Sequence, residues 1–301
     1  MWTNHVHVKS RAHLESAQAS SDHRSFDYKK MRSRSIRLSC LATLLLLGLG
    51  RVYAITEEEA ETDKGYASEA RGVNPYTAPS IAQIFQRLDE LRPLPFEQLQ
   101  RHFPAASHGN REQLGLNFGG LVADGFLLVA CERKNSVDEL GRALLRQARS
   151  LGVAQRVMRH SASLTDLGHR GDWQAMRREL AATQNDVEQA MIDLRDQRMA
   201  NLISLGGWLR GLEICSGAIT ARYSQDRANT LVQPDLVDYF SEELRKLPPA
   251  VGRTPLFDQL RNGMASVRPI LKKSSPGSLT AADVRAINAQ ARNMNAAILR
   301  D

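Results

Sequence analysis

The pattern of hydrophobic and polar positions has a helical period from about residue 80 to the end of the chain. Across residues 81–91, apolar side chains recur at steps of three and four, and Pro93 follows as a stop signal. Residues 284–298 show the same period after a capping pair formed by Thr280 and Asp283. No segment alternates with a period of two, so the pattern predicts helices without strands.

Further helix starts are predicted at polar capping residues or at first-turn prolines: Asn110, Ser136, Asp172, Thr183, Pro234 and Pro255. The helix after Asn110 should reach about Glu132, and the helix after Thr183 should continue to Tyr223. We therefore predict an all-α fold over residues 80–301, a compact bundle-like domain or two closely apposed helical layers, without a sheet. Its centre should be one long, buried helix pair.

Two of these helices carry rows of small residues where a buried helix would ordinarily carry large ones. The rows are Gly115, Gly119 and Ala123 in the first helix, and Gly207 and Gly211 in the second. An interior glycine costs roughly 1 kcal/mol of helix stability relative to alanine. Close backbone approach offsets that cost through dispersion contacts. Residues 115–123 and 204–218 are therefore expected to pack directly on each other.

Four polar residues on the same two helices are candidate ligand-binding or partner-binding residues: Asn117, Asp124, Arg210 and Glu213. Asn117 and Asp124 lie within about 20° of each other around the first helix, opposite its glycine row. They form either a narrow solvent-exposed stripe or a carboxylate site that faces a cleft. Arg210 and Glu213 are three residues apart and either pair as neighbours or border open space. Such space beside Gly206 and Gly217 would admit a partner's backbone or a small anion.

The N-terminal part of the chain has the pattern of an export signal. Residues 31–54 combine a basic start, an apolar run and small residues at positions 52 and 54, which are features of a secretory signal peptide. The apolar run is about a dozen residues, whereas a bilayer span needs roughly 20. We predict that residues 1–54 are a leader, that translation starts at Met31, and that the protein is exported to the periplasm or secreted.

The charge of the chain follows the same division. The formal net charge is +7, but residues 55–301 hold 31 basic and 30 acidic side chains, so a nucleic-acid partner is not expected. Residues 55–79 are acidic and interrupted by glycine and proline, which predicts a flexible tether. Since Asp124 and Arg210 interrupt the two small-residue helices, no transmembrane span is predicted in the mature chain.

Few residues in the mature chain suit catalysis or metal binding. Four of the eight histidines precede residue 55, and His160 and His169 have no matched acidic or cysteine spacing, which favours surface or capping roles. No metal site or cofactor motif is present, so neither is predicted. In an oxidising compartment, Cys131 and Cys215 form a possible disulfide, although two buried free thiols are the commoner arrangement.

Two function classes remain open, and the sequence does not decide whether the chain is an enzyme. The favoured hypothesis is an exported, non-catalytic binding or scaffolding protein of the cell envelope, whose partner is a protein or a small molecule. The alternative is an envelope enzyme with a site built from Asp124, Arg210 and Glu213. That alternative needs these side chains to converge in a pocket of a few hundred Å³.

Overall fold

The computed structural model describes residues 87–103, 109–273 and 278–300. The predicted leader (1–54), the predicted tether (55–79) and the start of the first predicted helix (81–86) lie outside the described residues. Within the described ranges the chain forms eleven helices packed against each other and no strand, which confirms the all-α fold class.

We number these helices in chain order. They are α1 (Phe96–Leu99), α2 (Arg111–Ala130), α3 (Val137–Leu151), α4 (Ala154–Arg170), α5 (Trp173–Asp193), α6 (Gln197–Ala221), α7 (Gln225–Asn229), α8 (Pro234–Arg245), α9 (Pro249–Gly252), α10 (Pro255–Leu271) and α11 (Ala281–Ile298). Residues 87–90 are also helical, and a short 3₁₀ turn (Lys134–Ser136) precedes α3.

Several predicted helix starts are confirmed by their capping hydrogen bonds. The side chains of Asn110 and Asp172 accept from the backbone N–H three residues later, and Thr280 with Asp283 forms a complete capping box. Pro234 and Pro255 each occupy the first turn of their helices. Local side-chain chemistry therefore sets the start of most long helices.

Two predicted starts differ from the structure. Ser136 precedes α3 but makes no side-chain capping bond. Thr183 lies inside α5, where its hydroxyl donates to the carbonyl of Glu179 at 2.7 Å instead of capping a new helix. The chain breaks later, at Arg195, whose φ is 58°, and the Asp196 side chain caps α6. The expected helix from Thr183 to Tyr223 is therefore two helices.

The long buried pair at the centre is α2 and α6, which make the most extensive helix–helix contact of the described chain. Every residue of α2 from Leu114 onward is buried. By length and composition α2 is apolar enough to cross a membrane, but 94% of the qualifying window is buried among other helices of the chain. Around the pair, α3 and α5 contact α2, α4 contacts both α3 and α5, and α11 contacts α6 and α10.

Glycines bring the backbones of α2 and α6 together. A β-carbon on Gly119 would overlap the carbonyl oxygen of Ile203 and lie 2.7 Å from the nitrogen of Gly207. A β-carbon on Gly206 would overlap the carbonyl oxygen of Leu116. Neither position can hold a larger residue without movement of a backbone, so the two main chains are in direct contact here.

The other members of the two rows take different places in this interface. Gly115 faces the thioether of Met199 rather than a backbone, while Ala123, Gly207 and Gly211 are buried. On α6 the backbone contact with α2 therefore includes Gly206, which the sequence pattern placed on the same face as Arg210. The face of α6 that contacts α2 is thus turned toward Arg210 from the predicted face, and Arg210 lies in the interface.

Candidate functional site

Three of the four candidate residues meet in one ion cluster between α2 and α6. Arg210 Nε donates to Asp124 Oδ1 at 2.7 Å, and Arg210 Nη1 lies 2.9 Å from Glu213 Oε2. Arg210 and Asp124 are only 2% and 3% exposed. The third nitrogen of the guanidinium, Nη2, donates to the carbonyl of Leu99 at 2.5 Å, at the end of α1. Arg210 therefore joins α1, α2 and α6.

A second arginine, which the sequence analysis did not select, completes the cluster. Arg101 Nε donates to Asp124 Oδ2 at 2.6 Å, so both oxygens of Asp124 bind a guanidinium. A β-carbon on Gly120 would lie 2.7 Å from Arg101 Nη2, so this glycine provides the space that the guanidinium occupies. Arg101 follows α1 in a loop without periodicity, and a loop arginine gives no sequence signal of its target.

The charges of the cluster balance, with two guanidinium groups and two carboxylates. Burial alone would lower the pKa of Arg210, but the carboxylates of Asp124 and Glu213 outweigh burial and raise it. For Arg101, burial lowers the pKa and Asp124 offsets only part of that effect, while Arg210 adds to the lowering. Because arginine is protonated throughout the physiological range, both guanidinium groups of the cluster carry a positive charge.

Almost all of the hydrogen-bonding capacity of the Asp124–Arg210 pair is used inside the protein. Both oxygens of Asp124 and all three guanidinium nitrogens of Arg210 have internal partners. The cleft beside Asp124 and Arg101 holds about 50 Å³, which is room for a few water molecules. A small-molecule site usually needs 300 Å³ or more. This geometry suits a structural clamp rather than a substrate site.

The open space expected beside Arg210 and Glu213 is filled by the protein itself. At Gly206 the space is taken by the backbone of Leu116, and a β-carbon on Gly217 would lie 2.7 Å from the Cδ2 atom of Leu99. Of the two alternatives for Arg210 and Glu213, the structure shows the pair of neighbours three residues apart, and it leaves no open space at Gly206 or Gly217. The glycines serve helix packing.

Asn117 is also enclosed, so of the two alternatives for Asn117 and Asp124 the solvent-exposed stripe is wrong, whereas Asp124 does line the small cleft described above. Asn117 is 7% exposed, and its Oδ1 has no hydrogen-bond partner among the described residues. The helix has no solvent-exposed face beyond its first turn, because α3, α5 and α6 all pack against it. A narrow polar stripe on a fully surrounded helix must pair internally or remain unpaired.

A buried histidine and a partly buried glutamate, both with internal hydrogen-bond partners, were not predicted from the sequence. His160 is 9% exposed, and its ring nitrogens lie 2.6 Å from Glu179 Oε1 and 2.9 Å from Asp186 Oδ2, so it is not a surface histidine. Glu188 accepts hydrogen bonds from Gln184 at 2.6 Å and Ser204 at 2.5 Å. Burial raises the pKa of Glu188 to about 7, although these two bonds oppose the shift.

Both described cysteines are free thiols, so the possible bridge between Cys131 and Cys215 is not formed. Burial raises the pKa of Cys215 to about 12 and also raises the pKa of the partly exposed Cys131. A raised thiol pKa reduces the thiolate fraction, so neither residue is suited to nucleophilic catalysis. Within the described ranges, no group of three or more His, Cys, Asp or Glu side chains is arranged to hold a metal ion.

Larger clefts lie on both sides of α8. The α6–α8 cleft holds about 310 Å³ and has an aliphatic floor formed by Leu202, Leu205, Leu244, Leu247 and Pro248. The α8–α10 cleft holds about 450 Å³ and is lined by Leu244, Met264, Ala265 and Pro269 together with several basic residues. A third cleft, between α10 and α11, holds about 480 Å³ and is lined mainly by polar side chains.

The polar side chains at the α6–α8 cleft are bonded to each other. Asn201 donates to Glu243 Oε2 at 2.5 Å and accepts from Tyr239 and Gln197, each at 3.2 Å. Lys246 Nζ lies 2.9 Å from Glu243 Oε1. Because these groups already have partners, the surface left for a ligand in this cleft is largely aliphatic.

No family model, no curated protein and no solved structure matches the chain.

Proposed function

We propose that the chain is an exported, non-catalytic binding protein of the cell envelope, and that it holds its partner at the clefts beside α8. The observation that carries this proposal is a contrast in available volume. The α8 clefts hold about 310 and 450 Å³, whereas the cleft beside Asp124 holds about 50 Å³. Apolar clefts of the larger size are the usual position of binding sites.

The enzyme alternative depended on Asp124, Arg210 and Glu213 as a substrate site. These residues converge, but both oxygens of Asp124 and each nitrogen of Arg210 bind other protein groups. A substrate would have to replace buried ion pairs in order to reach them, at a cost of several kcal/mol. The geometry therefore favours the binding hypothesis over this version of an enzyme.

Export is supported by residues 31–54 alone, through their basic start, apolar run and small residues before Ile55. The test is cell fractionation followed by N-terminal sequencing of the recovered protein. We expect the protein in the envelope or the medium, with its first residue at Ile55. Recovery from the cytoplasm with an N-terminus at Met1 or Met31 would exclude export.

Binding at the clefts is tested by site-specific photocrosslinking in living cells. A photoreactive amino acid replaces Leu247, which is partly buried and lines the α6–α8 cleft. The control position is Met158 on α4, which is 46% exposed. We expect a defined crosslinked product from position 247 and not from position 158. No product at position 247, or the same product at both positions, would count against a binding role for this cleft.

A further inference from the structure

The turn between α3 and α4 and the turn between α5 and α6 lie side by side at one end of the molecule. Arg111 joins them, because its guanidinium donates to the carbonyl of Leu151 and to Asp196 Oδ2, each at 3.1 Å. Arg156 on α4 and Asp193 on α5 form a second link, with an N–O distance of 3.2 Å. The two turns and the adjacent helix ends therefore form one continuous surface.

Arginines that no carboxylate pairs with lie on this surface. Between Glu139 and Asp166 the chain holds five arginines and no acidic residue, although residues 55–301 as a whole are nearly neutral. Of the arginines at the two turns, Arg149, Arg159 and Arg195 are exposed. Their side chains make no ion pair and no hydrogen bond within the described part of the chain. These three charges are available to a partner outside the molecule.

Carboxylates near the two turns are already paired with other arginines. The pairs are Asp193 with Arg156, Asp196 with Arg111, and Glu112 with Arg198. The positive charge of Arg149, Arg159 and Arg195 is therefore not cancelled by these neighbours. The basic residues that line the α8 clefts differ in this respect, because each of them is paired with a carboxylate and those clefts are close to neutral.

The same surface carries the two most exposed large hydrophobic side chains of the described residues. Leu194 is 62% exposed and Met158 is 46% exposed. Leu194 directly follows Asp193 and Met158 is two residues from Arg156, so the two side chains lie near the ion pair that joins α5 to α4. Neither of them lines a cleft described above. Apolar side chains that protrude beside basic ones are typical of contact with a membrane surface, whereas anchors of protein interfaces fill pockets.

We propose that this surface, formed by Arg149, Arg159, Arg195, Met158 and Leu194, binds the headgroup region of a membrane that contains anionic phospholipids. The guanidinium groups bind phosphate oxygens of the headgroups, and the two apolar side chains enter between the headgroups. Charge complementarity selects anionic over neutral lipid. This peripheral contact goes beyond the proposed function and uses no residue that lines the α8 clefts, so either can fail without the other.

The test is co-sedimentation with lipid vesicles, using the protein as it is recovered from cells. One set of vesicles contains phosphatidylglycerol mixed with phosphatidylcholine, and the other contains phosphatidylcholine alone. We expect binding to the mixed vesicles only, weakening as salt is raised, because exposed charges are screened. Calorimetric titration with inorganic phosphate distinguishes a membrane surface from a site for the free anion, and it should show no saturable binding.

Variants locate the contact. Arg149→Glu with Arg159→Glu should weaken binding to the mixed vesicles by roughly tenfold or more, because two attractive charges become repulsive. Leu194→Ser, which removes an apolar side chain without a change of charge, should weaken binding severalfold. The control, Arg222→Glu with Arg285→Glu, changes two exposed arginines outside this surface by the same net charge and should bind as the unmodified protein does. Circular dichroism of each variant verifies that the helices are intact.

Several outcomes would overturn the inference. They are equal binding to the two kinds of vesicle, an equal loss of binding in the two double variants, and saturable binding of inorganic phosphate without binding to vesicles. A defined protein crosslink from position 158 would assign the surface to a protein partner instead of lipid, and it would also overturn the inference.

Discussion

Arg210 Nε donates to Asp124 Oδ1 at 2.7 Å, and this bond joins α6 to α2 within the same interface where Gly119 and Gly206 allow the backbones to meet. Both charged side chains are almost fully buried. A charge placed in such an interface is stable only if its partners are complete.

Replacing different residues of the ion cluster should lower the free energy of unfolding by different amounts. Asp124→Leu leaves the guanidinium groups of Arg101 and Arg210 without their shared carboxylate, so the free energy of unfolding should fall by about 3–5 kcal/mol. Arg210→Met should cost less, because Asp124 keeps Arg101 and Glu213 is partly exposed to water. Urea unfolding of each variant measures both values.

A matched control for the cluster is the exposed pair of Arg170 and Asp166, at 2.9 Å on α4. Asp166→Asn should change stability by less than about 1 kcal/mol. If Asp124→Leu were no more damaging than this control, the cluster would not be a clamp. A larger loss for Arg210→Met than for Asp124→Leu would contradict the role of Asp124 as the shared partner.

The raised pKa of Glu188 predicts a pH dependence of stability. Its pKa is about 7 in the folded protein, because burial disfavours the carboxylate, and near 4.3 in the unfolded chain. The folded state therefore holds the proton more tightly. The contribution of Glu188 to stability is complete below pH 4.3 and is lost as the pH rises through 7, by at most about 4 kcal/mol.

Glu188→Gln separates this contribution from that of other titrating groups. Glutamine resembles the protonated side chain, so the variant should match the unmodified protein at low pH and exceed its stability above pH 7. Chemical denaturation at several pH values gives the difference between the two proteins. A difference that does not change with pH would show that Glu188 does not titrate in this range.

The two described cysteines should react with a thiol reagent at different rates. Cys215 is buried and its pKa is raised to about 12, so it should react with a thiol reagent only after unfolding. Cys131 is partly exposed and should react slowly in the folded protein. A colorimetric thiol assay on the mature protein without reductant should find two thiols in denaturant. Finding none there would indicate a disulfide between them.

Much of the fold was predictable because its signals are local. A capping residue such as Asn110 or Thr280 accepts a hydrogen bond from the backbone N–H three residues later. The local sequence is therefore enough to predict where the helix begins. The apolar period of α11 likewise requires no knowledge of its partners. The central pair of α2 and α6 was predictable because interior glycines imply a close neighbour.

The remaining features depend on contacts between distant segments. No glycine or proline marks the break between α5 and α6 at Arg195. Asp196 caps α6 only because the chain turns there. The sequence places Gly206 and Arg210 on one face of α6, but it does not indicate that this face packs against α2. Arg101 joins Asp124 from a loop, and His160 meets two carboxylates on another helix, which periodicity along one helix cannot indicate.

The clefts beside α8 belong to the same class of feature. Their lining residues come from three parts of the chain, on α6, on α8 and its following turn, and on α10. The small basic patch around Lys272 is visible in the sequence, but its position beside Leu244 is not. A binding site formed by the sides of helices therefore requires the tertiary structure to be recognised.

The packing of α2 on α6 depends on direct contact between their backbones, and Gly119→Ala tests that contact. The added methyl group would overlap the carbonyl of Ile203, so the free energy of unfolding should fall by about 3 kcal/mol or more. The control is Gly141→Ala on α3, whose β-carbon would lie 3.2 Å from the Ser161 hydroxyl and should change stability by less than about 1 kcal/mol. Urea unfolding measures the free energy of unfolding of both variants and of the unmodified protein. A large loss for Gly119→Ala alone supports the contact, whereas a Gly119→Ala protein as stable as the unmodified one would contradict it.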